Sequence, residues 1–283
     1  MANVAKDPVC GMAAQAEEGF VVLYQGNAYA FCSDLCKQTF VANPEKYVRE
    51  YSVRAPGEAD TTRRIAYFSM EVAVDPRMPT YSGGLGVLAG DTLRSCADLK
   101  IPIVAVSLLY AKGYFDQRLD EWGNQQESPV AWEPSRFVRP LPVTIAVPVE
   151  NRSVVVRAWQ YDMMGCTEYS VPLILLDTNL DENAPSDREL TSFLYGGDER
   201  YRLAQEIILG MGGVRMLRAL GYTQLQRFHM NEGHAGLLAL ELLREYRKAG
   251  ADEWDFHGVR RRCVFTTHHP RPGVVRISSR MTW

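Results

Sequence analysis

No apolar run in this 283-residue chain reaches the roughly 20 residues that a membrane-spanning helix needs. The amino terminus, MANVAKDPVCGM, lacks the apolar core of a secretory signal. Neither sign of charge dominates: 31 basic side chains stand against 34 acidic ones, a net −3, so no nucleic-acid or membrane footprint is expected. Six cysteines are too few and too spread for a disulfide scaffold. Internal repeats and low-complexity tracts are missing too. What is present is an ordinary soluble composition, 46% hydrophobic and 23% charged, enough for one large domain or for a large one plus a small one. Cysteines without a leader segment point to the cytoplasm.

Three of the six cysteines fall in the first 36 residues, and residues 1–50 read as a separate unit. Pro8 and Gly11 mark a turn around Cys10. Phe20–Tyr24 is a β-rich run, Gln25-Gly26-Asn27 a hairpin turn, and Ala28–Phe31 the returning strand. Ser33 is placed to cap a helix that runs through about Asn43 and stops at Pro44. Cys32 precedes that helix and Cys36 lies in its first turn, so both thiols can face the same point as Cys10. A site for a soft cation is the expectation, with thiol pKa values lowered by the helix start. The alternative is three buried apolar cysteines. No histidine lies in this segment, which leaves Asp7, Asp34, water or a second chain as the fourth ligand.

The pattern DPVCGM…YAFCSDLCKQTFVANPEKY resembles the YHS domain, a small module associated with heavy-metal handling. The resemblance covers nearly all of residues 6–47. It implies that Cys10, Cys32 and Cys36 bind zinc, copper or another thiophilic ion.

Residues 51–62, YSVRAPGEADTT, read as a linker. Beyond it, strand and helix patterns alternate. Strands are expected at Ile65–Ser69, Ile103–Leu109, Val154–Trp159, Leu173–Leu176, Arg227–Met230 and Cys263–Thr267. Helices are expected over Leu85–Leu99, with Leu88, Thr92, Cys96 and Leu99 on one face, over most of Arg188–Leu220 with a break at Gly212-Gly213, and over Ala235–Lys248. The fold class is therefore α/β with a doubly wound, Rossmann-like layer.

Three segments sit where such a layer binds ligands. Tyr81-Ser82-Gly83-Gly84-Leu85-Gly86 opens a helix, so its N–H groups suit a phosphate, although a tight turn with nothing bound would look the same. His229-Met230-Asn231-Glu232-Gly233-His234 offers donors and acceptors for hydroxyls. A metal cluster there is discounted, because His229 belongs to the strand and His234 lies beyond it. His268 follows the last strand and can bond a sugar hydroxyl or serve as a lone structural histidine.

Together these segments resemble the α-glucan phosphorylases, the pyridoxal-phosphate-dependent glycosyltransferases. The resemblance is carried by IAYFSMEVAVDPRMPTYSGGLGVLAGDTLRSCADLK, LYGGDERYRLAQEIILGMGGVRMLRALGY, HMNEGHAGLLALELLRE and VFTTH, in order, from about Arg63 to His268. It implies reversible phosphorolysis of an α-1,4-glucan end to glucose 1-phosphate. By position, it implies that Gly83, Gly84 and Leu85 face phosphate and glucosyl unit. Asn231, Glu232 and His234 would line the sugar pocket, and His268 would contact the glucosyl 6-hydroxyl. It also implies a second lobe holding the cofactor lysine. No lysine of this chain takes that place, so residues 63–268 are expected to be a partial first lobe, inactive alone. Residues 269–283, HPRPGVVRISSRMTW, depart from the family pattern and read as a frameshifted tail. A sugar-nucleotide glucan synthase fits less well, since Tyr81 and Ser82 stand where that class carries a lysine. A non-catalytic metal-binding protein working through the three cysteines is the competing expectation.

Overall fold

The computed structural model describes residues 4–10, 12–15, 20–24, 27–44, 62–128, 130–247 and 254–268. The expected linker, apart from Thr62, and the tail at 269–283 lie outside these residues. The chain divides into two compact units, Met1–Ala55 and Pro56–Trp283.

In the first unit, strands β1 (Val4–Lys6) and β2 (Ala13–Gln15) pair antiparallel, as do β3 (Val21–Tyr24) and β4 (Asn27–Ala30). Asn27 belongs to the returning strand, and Gln25 and Gly26 lie outside the described residues. Helix α1 spans Asp34–Ala42 and starts where expected, with the Ser33 side chain accepting from the Cys36 N–H. The buried Phe40 ring gathers Tyr24, Tyr29 and Phe31 at centroid distances of 6.0, 5.0 and 5.0 Å. An aromatic cluster of this kind is an economical core for so short a module.

The second unit is built on a seven-stranded sheet. Its strands are β5 (Ile65–Ser69), β6 (Ile103–Leu108), β9 (Arg139–Val149), β10 (Arg152–Met164), β11 (Ser170–Asp177), β12 (Arg227–Asn231) and β13 (Cys263–Thr266). The order across the sheet is β13-β12-β5-β6-β11-β10-β9, parallel from β13 to β11 and antiparallel from there on. A two-stranded hairpin, β7 (Asp116–Leu119) and β8 (Gln125–Ser128), stands apart from it. Every residue of β6 is buried, as a strand covered on both faces requires. Alternate side chains feed two cores. Phe68, Val104, Val106, Ile174 and Leu176 enter one; Tyr67, Ile103, Ala105, Leu173 and Leu175 enter the other.

Helix α2 (Gly84–Asp98) covers the second core, and the face it buries differs from the expected one. Gly86, Ala89, Gly90, Leu93 and Ala97 point inward, while Leu88 and Leu99 are exposed. The small side chains win because the helix runs so close to the chain after β5 that a Cβ on Gly90 would lie 2.0 Å from the Ala73 carbonyl oxygen.

Over the first core lie α3 (Glu199–Ile207), α4 (Gly213–Ala219) and α5 (Leu238–Tyr246). The break expected at Gly212-Gly213 is instead a π-helical turn, Ile208–Gly212, that joins α3 to α4. Gly213 is there for proximity: a Cβ would meet the Phe68 ring at 2.6 Å. The short helix α6 (Phe256–Arg262) leads into β13. Strand β9 was not among the expected strands; it carries Pro140, Pro142 and Pro148, which a central strand would not tolerate. It lies at the rim, where a missing N–H needs no partner. Among the described residues no helix is long and apolar enough to cross a membrane.

Candidate functional sites

In the first unit, the turn after β1 carries Cys10, the end of β4 leads to Cys32, and the first turn of α1 presents Cys36. Their sulfurs converge: Cys10 Sγ lies 3.4 Å from Cys32 Sγ, and Cys32 Sγ 3.9 Å from Cys36 Sγ. A tetrahedral ion with bonds of about 2.3 Å requires sulfurs about 3.8 Å apart, so the spacing fits a thiolate-bound metal. Asp7, 1% exposed, joins them, and the four ligand atoms lie within 4.8 Å of one another. Its Oδ1 accepts from the N–H groups of Val9 (2.7 Å) and Cys10 (3.4 Å), and its Oδ2 from Cys32 N–H at 2.8 Å. One carboxylate therefore fixes both the turn and the helix entrance. Asp34 is committed elsewhere, accepting from the Gln38 amide at 2.6 Å.

Asp7 also reverses the expected acidity of Cys32 and Cys36. Burial pushes its carboxyl up, but hydrogen bonds from Cys32, Val9 and Cys36 outweigh burial and hold it far below the usual range. The facing thiol pays in turn: the Asp7 hydrogen bond, then that with Cys10, pushes Cys32 up to about 12. At Cys36 the Ser33 hydrogen bond pulls down, yet burial and Asp7 carry the thiol upward. A full negative charge at this distance exceeds the partial charge of a helix start.

In the second unit, β5, β12 and β13 end side by side at Ser69, Asn231 and Thr266. Asn231 is buried; its Nδ2 donates to Ser69 Oγ at 3.1 Å, and its Oδ1 lies 3.1 Å from His268 Nε2. Asn231 Oδ1 only accepts, so His268 carries its proton on Nε2 in this arrangement. The Glu232 carboxylate accepts from the His268 N–H, with Thr267 Oγ1 at 3.4 Å. Glu232 holds φ at 68°, uncommon for a side-chain-bearing residue and frequent at functional sites. His229 stays apart in its strand, 2.6 Å from Thr266 Oγ1 and packed on the Tyr67 ring.

Two residues that sequence reasoning passed over connect this group to the glycine loop. Glu71, just beyond β5, accepts from Ser82 N–H (2.7 Å) and Gly83 N–H (3.1 Å) through Oε2, and from the Tyr195 hydroxyl (2.9 Å) through Oε1. Tyr195, at φ 56°, packs its ring 5.5 Å from that of His234. Burial, then the charge of Glu71, pushes the Tyr195 hydroxyl well up and keeps it a donor. Gly83 is the N-cap of α2, and no side chain caps the helix. A Cβ on Gly83 or Gly84 would meet nothing within 4 Å, whereas one on Gly86 would strike Tyr81 Cβ at 2.4 Å. Packing therefore requires Gly86 and leaves the space in front of Gly83 and Gly84 open.

Residues 5–51 match the YHS domain. A glycogen phosphorylase of Mycobacterium tuberculosis is 40% identical over 252 residues, 83% of this chain and 28% of the relative. A maltodextrin phosphorylase of Thermococcus litoralis is 38% identical over 216 residues, 74% of this chain and 25% of the relative. A glycogen phosphorylase of Aquifex aeolicus is 34% identical over 239 residues, 80% of this chain and 34% of the relative. The chain thus spans about a quarter to a third of the length of these relatives. It carries a YHS domain over residues 5–51 and, after it, a segment homologous to the glycogen and maltodextrin phosphorylases.

Proposed function

We propose that the second unit forms the glucan- and phosphate-facing part of an α-glucan phosphorylase site, the enzyme class of its relatives, acting in reversible phosphorolysis of an α-1,4-glucan end to glucose 1-phosphate. Gly83, Gly84 and Leu85 face phosphate and the glucosyl unit; Gly84 and Leu85 offer first-turn N–H groups, while the Gly83 N–H is held by Glu71. Asn231, Glu232 and His234 line the sugar pocket, and His268 bonds the 6-hydroxyl. The observation that carries this reading is the open space at Gly83 and Gly84, two glycines that neither packing nor φ demands, linked through Glu71 and Tyr195 to His234.

Pyridoxal phosphate, which the resemblance implies, needs an imine-forming lysine. Among the described residues none belongs to this web: Lys112 is paired with Glu189 at 2.8 Å and lies over the Phe193 ring. The residues present do not fit the cofactor's anchor, and no step is derived through it. Binding and orienting the glucan is this chain's share. With pyridoxal phosphate and phosphate supplied, the purified chain is expected to bind maltoheptaose and release no glucose 1-phosphate. Steady turnover, or no binding at all, would sink the reading.

The first unit favours a second role, the holding of a thiophilic ion such as zinc or copper by Cys10, Cys32 and Cys36 with Asp7 beside them. A non-catalytic metal-binding protein would retain this role alone. One equivalent of zinc per chain, lost in the Cys10→Ser/Cys32→Ser/Cys36→Ser variant, is the expected result. All six cysteines are free, in keeping with a reducing, cytoplasmic setting.

A further inference from the structure

We infer that the second unit carries a separate anion site at the starting ends of β12 and β13, one that takes a small molecule through its phosphoryl group. A cavity of about 300 Å³ opens there, lined by Leu225, Gln226, Arg227, Tyr246, Arg261 and Arg262. Three guanidinium groups thus border one small space, in a chain whose net charge is −3. The topology brings them together. Arg227 opens β12, Arg261 and Arg262 end α6 immediately before β13, and the two strands run parallel with Phe228 opposite Cys263. Both approaches therefore reach the sheet at the same margin. Asn231 is the last residue of β12, four after Arg227. At about 3.3 Å per residue, the arginine cavity begins about 13 Å along the strand from the Asn231–His268 group.

The positive charge is uncompensated. Among the described residues no carboxylate pairs with any of the three arginines. Acidic residues on the flanking helices are committed elsewhere: Glu245 pairs with Arg218 at 2.7 Å, and Asp255 accepts from the Gly258 N–H at 2.7 Å. Two of the guanidinium groups are already held. Arg262 Nη1 donates to the Gly258 carbonyl at 3.0 Å, and its guanidinium lies 4.4 Å over the Tyr246 ring. Arg227 Nη1 donates to the Gln226 carbonyl at 3.0 Å. Each of these bonds uses one of the several N–H donors of a guanidinium and leaves the others for a ligand. Stacking on Tyr246 restrains Arg262 before anything binds, which lowers the entropy cost of binding. Arg261 is exposed and completes the set. A carboxylate would bring a single negative charge to three positive ones. A phosphoryl group brings more charge, and its oxygens accept the planar forks of neighbouring arginines side by side. Gln226 and Tyr246 add polar groups for whatever the phosphoryl group is attached to.

Calorimetric titration of the full chain with pyrophosphate and with inorganic phosphate tests this, in about 0.15 M salt so that diffuse surface attraction is screened. Wild type is expected to bind pyrophosphate, and more tightly than inorganic phosphate. Arg227→Ala and Arg261→Ala are each expected to weaken pyrophosphate about tenfold. Both side chains are exposed, so both variants are expected to keep the wild-type thermal midpoint. Arg118→Ala, on the hairpin of β7 and β8, removes the same charge away from the cavity and is expected to leave pyrophosphate binding unchanged. Absence of pyrophosphate binding by wild type overturns the site, as does binding undiminished in both cavity variants. An equal loss in Arg118→Ala also overturns it, because the attraction would then belong to net charge and not to this cavity.

Discussion

The Tyr195 hydroxyl donates to Glu71 Oε1 at 2.9 Å across 124 residues of sequence. The same carboxylate holds the Ser82 and Gly83 N–H groups of the glycine loop through its other oxygen. Tyr195→Phe leaves half of a buried carboxylate without its donor. A loss of about 1–2 kcal/mol in denaturant unfolding is expected, together with weaker maltoheptaose binding as the loop loosens. Unchanged stability would mean that water replaces the phenol without cost.

The glycine loop separates two kinds of glycine. Gly84→Ala places a methyl group in open space at a helix start and is expected to change stability by no more than about 0.5 kcal/mol. Gly86→Ala drives a methyl into Tyr81 and Glu71 and is expected to cost about 1–3 kcal/mol. Parallel urea titrations decide the matter. If Gly84 carries a ligand-facing role, Gly84→Ala also weakens maltoheptaose without unfolding the chain.

Glu206 on α3 is buried, and its Oε2 has no hydrogen-bond partner among the described residues. Burial, opposed in part by Arg202, raises its pKa to about 7. The folded state thus holds this proton where the unfolded chain has released it. Stability is full below the unfolded value near 4.5, falls as pH rises to about 7, and is level beyond that. Glu206→Gln is expected to remove this slope and to raise stability at pH 8 by on the order of 2–3 kcal/mol. Chemical denaturation at pH 5 and pH 8 reads the difference.

Metal binding by the first unit is expected to strengthen steeply with pH, because the Cys32 thiol, pushed up to about 12, must surrender its proton to the ion. Competition between zinc and a chromophoric chelator at pH 6 and pH 8 should show it. Asp7→Asn removes the charge that keeps the thiol protonated, so zinc affinity is expected to rise at both pH values while its slope with pH is kept. The carboxyl of Asp7 is lowered on folding, so its contribution to stability holds above the unfolded value near 4 and fades as pH falls below it. A zinc affinity independent of pH would refute the coupling.

Much of this architecture was legible because period and punctuation agreed. Ile65–Ser69 and the continuous apolar run of β6 lie where the pattern placed them, and Ser33 caps its helix. What escaped depended on partners distant in sequence. The buried face of α2 follows from a backbone approach at Gly90, not from its larger side chains. The prolines of β9 are tolerated because the strand lies at the rim, a position that the sequence does not state. The charge of Glu71 directly after an apolar strand was the available signal for that residue, and Asp7, one of several candidates, needed the fold to set it against three N–H groups.

The prolines of β9 have a further consequence. Pro140, Pro142 and Pro148 each lack an N–H, and β9 pairs with β10 through a register shift opposite Arg157 and Trp159. A proline-interrupted margin is a poor template for an incoming strand. Among the described residues nothing pairs with the outer side of β13, at the opposite margin, where Val264 and Phe265 are exposed. Strand addition is therefore one-sided: two copies joined through β13 would use up the receptive margin of each, so growth by this route halts at a pair instead of running on into a fibre.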